Sequence, residues 1–193
     1  MTTFCLPRLG RSIIISSLCA LFTLPVMAHN LTLNQNLPPV AVADKGELEY
    51  QNNQFRYQNW NSAQLQGKVR VVQHIAGRTS AKELNDPLIS ALKAAILPRQ
   101  HYQTTTIVNT DDAIIGTGPF VRSSIEDSKK AFPWSQFIVD SRGNVRQTWQ
   151  LQPKNSAIVV LDKQGRVRFV KEGALSQQEI QHVMSLVQQL LQE

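Results

Sequence analysis

Residues able to do chemistry cluster where a strongly apolar stretch gives way to a predicted helix. Residues 77–82, Gly-Arg-Thr-Ser-Ala-Lys, supply two hydroxyls, Thr79 and Ser80, and two cations, Arg78 and Lys82. Free amides at a helix N-terminus, with cations beside them, favour an anion or a carboxylate as ligand. The alternative is a capping box, in which Ser80 accepts from the helix amides and Glu83 reaches back. Arg78 distinguishes the two interpretations, because a capping box does not need it.

Other polar candidates are weaker on their own. Asp111 and Asp112 follow a predicted strand at the edge where α/β folds place ligands, although turn formation explains them equally well. His74 lies within the central strand without paired histidine or cysteine spacing, so we predict a core or rim residue and no metal site. Trp134 and Trp149 are expected to be core or rim aromatics, and the alternative is that one of them lines a surface groove. The pattern predicts no cofactor, and no G-x-S-x-G elbow supports a serine hydrolase.

Both cysteines, Cys5 and Cys19, lie in a predicted secretory signal peptide. Arg8 and Arg11 precede an apolar run over residues 13–24, and small residues end at Ala28. The run is too short for the ~20 residues of a membrane-spanning helix. We expect cleavage after Ala28, a periplasmic product without a membrane span, and one domain over residues 29–193.

Charge excludes one class of partner. The full chain has 20 Lys and Arg against 14 Asp and Glu, a net charge of +6, and loss of Arg8 and Arg11 would lower it to +4. Basic and acidic residues are interspersed without a long basic run, which argues against nucleic acid.

Alternating apolar runs and helical patterns predict an α/β fold, a central mixed sheet flanked by helices with an N-terminal β-hairpin. The hairpin spans residues 46–57 and turns at residues 51–53. A helix is expected to about Leu97 with a kink at Pro87. Ser176 and Glu179 form a capping box before the last helix. The remaining predicted strands are residues 69–76, 103–109, 136–139, 157–161 and 167–170, and a short helix runs from Pro119 to Ala131.

Three stretches resemble the thioredoxin-like superfamily, in its thiol oxidoreductase and peroxiredoxin-like branch. They are residues 65–72, LQGKVRVV; residues 132–143, with Phe132-Pro133 and Asp140 to Gly143; and residues 158–167, a hairpin around DKQG. More narrowly, residues 74–82, 104–112 and 133–140 resemble the YtfJ family of small periplasmic proteins. That resemblance implies a thioredoxin-like fold and periplasmic location, and it brings no established biochemical role.

The chain departs from the superfamily's redox pattern at both halves of the site. Where the resemblance places C-x-x-C, the chain has residues 77–82, whose hydroxyls cannot replace a thiolate and a resolving sulfur. The position of the superfamily's cis-proline would align with Ser156, and a non-proline cis bond would cost about 3 kcal/mol.

We therefore expect a non-catalytic binding module without thiol-disulfide oxidoreductase activity. Its partner would be a periplasmic protein or peptide, or a small anionic ligand. The predicted ligand-binding residues are Arg78, Thr79, Ser80, Lys82, Asp111, Asp112 and Ser156. Two alternatives stay open, an enzyme with non-thiol chemistry at residues 77–82 and a periplasmic stress or holdase protein.

Overall fold

The computed structural model describes Met1 and residues 29–193, so the predicted signal peptide, its two cysteines and its apolar run lie outside the described residues. The strands are β1 (Ala41–Gln51), β2 (Gln54–Asn61), β3 (Val69–Ala76), β4 (Tyr102–Asn109), β5 (Gln136–Asp140), β6 (Ser156–Leu161) and β7 (Val167–Glu172). The α-helices are α1 (Thr79–Glu83), α2 (Asp86–Ala94), α3 (Gly118–Ala131), α4 (Asn144–Thr148) and α5 (Gln177–Gln192).

The seven strands form one mixed sheet in the order β2-β1-β5-β4-β3-β6-β7. β3 pairs in parallel with β4, and β4 with β5, while β3 pairs antiparallel with β6. Every residue of β3 is buried, as its near-continuous apolarity predicts for a strand covered on both faces. The α/β fold with a central mixed sheet is confirmed.

The predicted N-terminal hairpin is also present and extends the sheet through β5. Its turn residues Asn52 and Asn53 have φ of 51° and 61°, values that asparagine tolerates better than most residues. β1 bulges between Val42 and Glu47, and Gly46 within the bulge has φ 81°. Its missing Cβ leaves room for the backbone carbonyl of Gln58.

Side chains alternate along the strands, so the sheet has two differently covered faces. One face carries α2, α3 and α5 and is filled by two apolar clusters, one around Val71, Leu88 and Val183 and the other around Ile75, Ile125 and Phe137. The opposite face carries α4 and the N-terminal segment, packed around Trp149.

The prediction of one continuous helix to about Leu97 is wrong. Two helices occupy this segment, and Pro87 lies in the first turn of α2 instead of kinking a longer helix. Between them, the buried side chain of Asn85 donates to the Ser156 hydroxyl and the Gly173 carbonyl and accepts from the Leu175 amide. These tertiary hydrogen bonds hold the interruption in place.

Helix α4 was absent from the prediction. Its first amides are satisfied by Asp140 at the end of β5, which accepts from the backbone of Asn144 at 3.0 Å and of Val145 at 2.8 Å. Within residues 29–193, the helices are all too short or too polar to cross a bilayer.

Candidate functional site

A cavity lies over the sheet between helices α2 and α3, and we call it the α2–α3 groove. Its volume is about 660 Å³, within the roughly 300–1,000 Å³ range of small-molecule sites. β4 runs along its floor, and the two apolar clusters of this face lie on either side.

Apolar side chains form the walls and the rim of the groove. Ile89 and Leu92 line the α2 wall, and Val121 and Ile125 line the α3 wall. The rim carries large apolar side chains that are open to solvent, among them Phe120 at 78% exposure, Trp134 at 45%, Ile96 and Ile114. Exposed apolar residues gathered around one cavity indicate an interaction site.

Polar side chains occupy the centre of the floor. Gln73 of β3 is paired in register with Thr106 of β4, and both line the groove together with Thr104. Gln73 is only 5% exposed. Within residues 29–193, its carboxamide has no protein hydrogen-bond partner, so it presents unused donors and acceptors to the cavity.

The groove is electropositive. Arg78, Lys82, Lys93 and Arg99 line it against one carboxylate, Asp86. At the α1 end, Lys82 donates across to the Ser124 hydroxyl of α3 at 3.3 Å.

At the opposite end, the cations lie on aromatic rings. The Lys93 ammonium is 4.4 Å from the ring centroid of Phe132, and the Arg99 guanidinium carbon is 3.6 Å from that of Trp134. The two rings meet edge to face at 5.7 Å. This cation–aromatic cluster, of Lys93, Arg99, Phe132 and Trp134, closes the end of the groove near the start of β4.

Three of the seven predicted ligand-binding residues, Arg78, Thr79 and Lys82, line the groove. Ser80 is exposed and lies outside it. The Arg78 guanidinium is already engaged, because it donates from Nε and Nη2 to the Asp112 carbonyl at 3.0 and 2.5 Å. Arg78 therefore also ties the β3–α1 corner to the turn after β4.

The capping box predicted for Ser80 and Glu83 does not form. α1 begins at Thr79 with Arg78 as its N-cap residue, and no side chain caps it. The anchorage of Arg78 to Asp112 fixes where the helix starts, which places Ser80 inside the first turn instead of before it. With only five residues, α1 also contributes little of a helix dipole.

Asp111 and Asp112 belong to a separate polar cluster beyond the end of β4. The Asp112 carboxylate accepts from the Asn109 carboxamide at 3.1 Å and from the Lys154 amide at 3.0 Å. Arg146 of α4 lies 3.7 Å from Asp112 and 4.0 Å from Asp111. These contacts join the end of β4 to α4 and to the segment before β6, and they leave the Asp112 carboxylate well occupied.

His74 lies beside this cluster, on the face of the sheet opposite the groove. It is a buried core residue, and its Nε2 has no hydrogen-bond partner in the described part of the chain. Burial lowers the pKa of His74 to about 4, an effect that the nearby Asp112 carboxylate opposes and Arg146 reinforces. The imidazole is therefore neutral at pH 7. Within residues 29–193, no group of histidine and acidic side chains is arranged to hold a metal.

Ser156 lies beside the end of β3, but it is not among the residues that line the groove. It is 1% exposed, its hydroxyl accepts from Asn85, and it pairs with Ile75 at the start of β6. Across residues 29–193 every peptide bond is trans, including the one before Ser156.

The sequence does not predict Gln73, Lys93 or Arg99 as site residues, and it contains only part of the information that would identify the groove. Trp134 was one of two tryptophans considered for a groove, and it lines one, whereas Trp149 is fully buried. Lys93 and Arg99 flank the apolar end of a predicted helix, but nothing local indicates that they meet aromatic rings more than thirty residues away.

Comparison with known proteins identifies relatives over almost the whole described chain. A family model described as "Bacterial protein of unknown function (YtfJ_HI0045)" matches residues 31–190. The uncharacterized protein YtfJ of Escherichia coli is 58% identical over 178 residues, 92% of this chain and 97% of its own length. An uncharacterized protein of Haemophilus influenzae is 50% identical over 167 residues, 86% of this chain and 91% of its own.

Solved structures with the same fold include thiol-disulfide proteins. A thiol-disulfide isomerase from Corynebacterium glutamicum superposes with a TM-score of 0.56 at 18% identity, covering 85% of this chain and 98% of its own. The thioredoxin domain of a thiol-disulfide oxidoreductase from Bacteroides vulgatus gives 0.53 at 12% identity, covering 81% and 99%. At these identities the likeness establishes a thioredoxin-like fold and nothing about activity.

Proposed function

The chain belongs to the YtfJ_HI0045 family, and from its thioredoxin-like fold we propose that it is an exported, periplasmic binding protein without thiol chemistry. Its ligand would occupy the α2–α3 groove. The observation that carries this proposal is the combination, in one cavity, of apolar walls, a polar floor and four cations. The predicted signal peptide is the reason for placing the protein in the periplasm.

Sequence supports the loss of redox function. The chain has two cysteines, Cys5 and Cys19, and both precede residue 29. At the β3–α1 corner the residues are Arg78, Thr79 and Ser80, and no thiol is present to form a mixed disulfide. The retained scaffold would then serve for recognition alone.

Enzymatic chemistry at residues 77–82 has less support. A hydroxyl nucleophile needs a general base within hydrogen-bond reach. In the described part of the chain, neither Thr79 nor Ser80 is hydrogen-bonded to a histidine or a carboxylate. The nearest strand histidine, His74, is buried with its side chain on the opposite face. Binding is therefore better supported than catalysis at residues 77–82.

Amide hydrogen exchange with and without a periplasmic small-molecule and peptide extract tests the proposal. We expect slower exchange in the extract for β4 and the facing turns of α2 and α3. The variant Thr106→Phe, which fills the floor of the groove, should abolish that protection. Arg122→Gln, an exposed α3 residue paired with Glu126 outside the groove, serves as the control.

Two results would count against the proposal. One is the lack of protection at the groove with every extract fraction, and the other is equal protection of the wild-type and Thr106→Phe proteins. Reduction of a disulfide substrate by the exported protein would separately refute the loss of thiol chemistry.

A further inference from the structure

We propose that the occupant of the α2–α3 groove is a short, extended, apolar peptide whose free C-terminal carboxylate lies at the cation–aromatic cluster. This inference rests on the proposed function and specifies the ligand class and its orientation. The anion-binding site is then at the opposite end of the groove from residues 77–82, where the sequence predicts it.

The charges of the two ends favour this orientation. At the α1 end, Arg78 is bound to the Asp112 carbonyl, Lys82 reaches Ser124, and Asp86 offsets part of the positive charge. At the other end, Lys93 and Arg99 line the groove. In the described part of the chain, the one acidic lining residue, Asp86, lies at the opposite end of α2 from Lys93. The cationic groups of Lys93 and Arg99 lie against ring faces, so their remaining N–H donors are available to a carboxylate.

The polar floor selects a peptide over a hydrocarbon chain. A saturated acyl chain along β4 would cover the Gln73 carboxamide without offering it a hydrogen bond, and this loss would weaken binding. An extended peptide carries N–H and C=O groups at regular intervals, which Gln73 and Thr106 can pair. Its apolar side chains would meet Ile89 and Leu92 on one wall and Val121 and Ile125 on the other.

The length of the groove sets the length of the ligand. The lining residues of β4 extend from Tyr102 to Val108. At about 3.3 Å per residue this distance is roughly 20 Å, which an extended peptide of five or six residues fills. Capture of a C-terminal carboxylate is an established mode of peptide recognition.

Fluorescence anisotropy with one defined probe tests the inference. The probe is the pentapeptide Ala-Leu-Ala-Val-Leu, labelled with rhodamine at its N-terminus and carrying a free carboxylate. We expect saturable binding, and about fivefold weaker binding of the same peptide with a C-terminal amide. Arg99→Gln and Lys93→Gln should each weaken the acid form about fivefold and reduce the difference between acid and amide. Arg122→Gln should leave both affinities unchanged.

Further arms separate the alternatives. Laurate should compete poorly with the labelled peptide, and displacement of the peptide by laurate at a concentration comparable to that of the unlabelled peptide would overturn the peptide assignment. Equal affinity for acid and amide peptides would overturn the placement of the carboxylate. Because Lys93 and Arg99 are exposed, the thermal midpoints of both variants should match that of the wild type. Weaker binding at an unchanged midpoint then reports the loss of a contact with the peptide and not a loss of folding. If no peptide binds but the extract still protects the groove from exchange, this inference fails and the proposed function stands; if neither occurs, both fail.

Discussion

Replacing His74 by leucine should change how stability depends on pH. His74 is buried, and its folded pKa of about 4 lies below the ordinary value of 6.5 because burial disfavours the charged imidazole. Between these two values the unfolded chain binds a proton that the folded chain does not. The free energy of unfolding therefore falls as pH drops from about 6.5 towards 4, and the contribution is fully present above pH 6.5.

The size of this effect follows from the shift. A difference of about 2.5 pKa units, at 1.36 kcal/mol per unit, corresponds to about 3 kcal/mol lost by the wild type between pH 7 and pH 4. The leucine variant lacks this loss, so the stability difference, variant minus wild type, should rise by about 3 kcal/mol over that interval. Taking the difference cancels the contributions of the carboxylates, which titrate in both proteins.

Urea unfolding followed by far-UV circular dichroism at four pH values between 7.5 and 4 provides the measurement. The same substitution at His101, an exposed histidine, is the matched control. Parallel stability curves for wild type and His74→Leu would refute the argument, because they would mean that the imidazole is protonated equally in the folded and unfolded chains.

Three further substitutions test local features by urea unfolding at pH 7. Ser176→Ala should cost about 1 kcal/mol because Ser176 caps α5, whereas Ser80→Ala should change stability by less than about 0.5 kcal/mol; equal costs would contradict the difference in capping. Asp140→Ala should cost about 2–3 kcal/mol of stability by leaving the first amides of α4 unpaired, whereas Asp127→Ala, at an exposed position, should be nearly neutral. A neutral effect of Asp140→Ala would contradict the capping of α4 by Asp140. Gly46→Ala should cost more than about 2 kcal/mol, since its new Cβ would meet the carbonyl of Gln58 at a positive φ; wild-type stability would show that the β1 bulge relaxes freely.

Sequence reasoning succeeded where the signal is local or repeated along an element. The asparagines at the β1–β2 turn, the apolar run of β3 and the Ser176 capping box each act within a few residues, and all are present. The three stretches that resemble thioredoxin-like proteins each contain part or all of a strand and the turn beside it. They led to the correct fold and family.

The failures occur where distant contacts decide local structure. Ser80 with Glu83 has the same spacing as Ser176 with Glu179, yet only the second pair caps a helix. Arg78 is held by a residue after β4, and this fixes the start of α1 one residue before the serine. Likewise, the interruption between α1 and α2 depends on Asn85 bonding to the far end of the chain.

The candidate site was predictable only in part for the same reason. Arg78, Thr79 and Lys82 were recognisable from the strand-to-helix transition, and they line the groove. The cation–aromatic cluster joins residues from the end of α2 and the segment after α3, and it exists only once both helices lie over β4. No spacing of residues in the sequence predicts that these four side chains come into contact.

Methyl NMR of the purified protein, recorded while the pentapeptide Ala-Leu-Ala-Val-Leu is added, tests most directly whether the α2–α3 groove is a binding site. We predict shifts for the methyl groups of Ile89, Leu92 and Ile125, which line its walls, and none for Val72 and Val145 on the opposite face. Shifts at Val72 and Val145 would contradict the location of the binding site, and a spectrum unchanged at a large excess of peptide would contradict a peptide as its occupant.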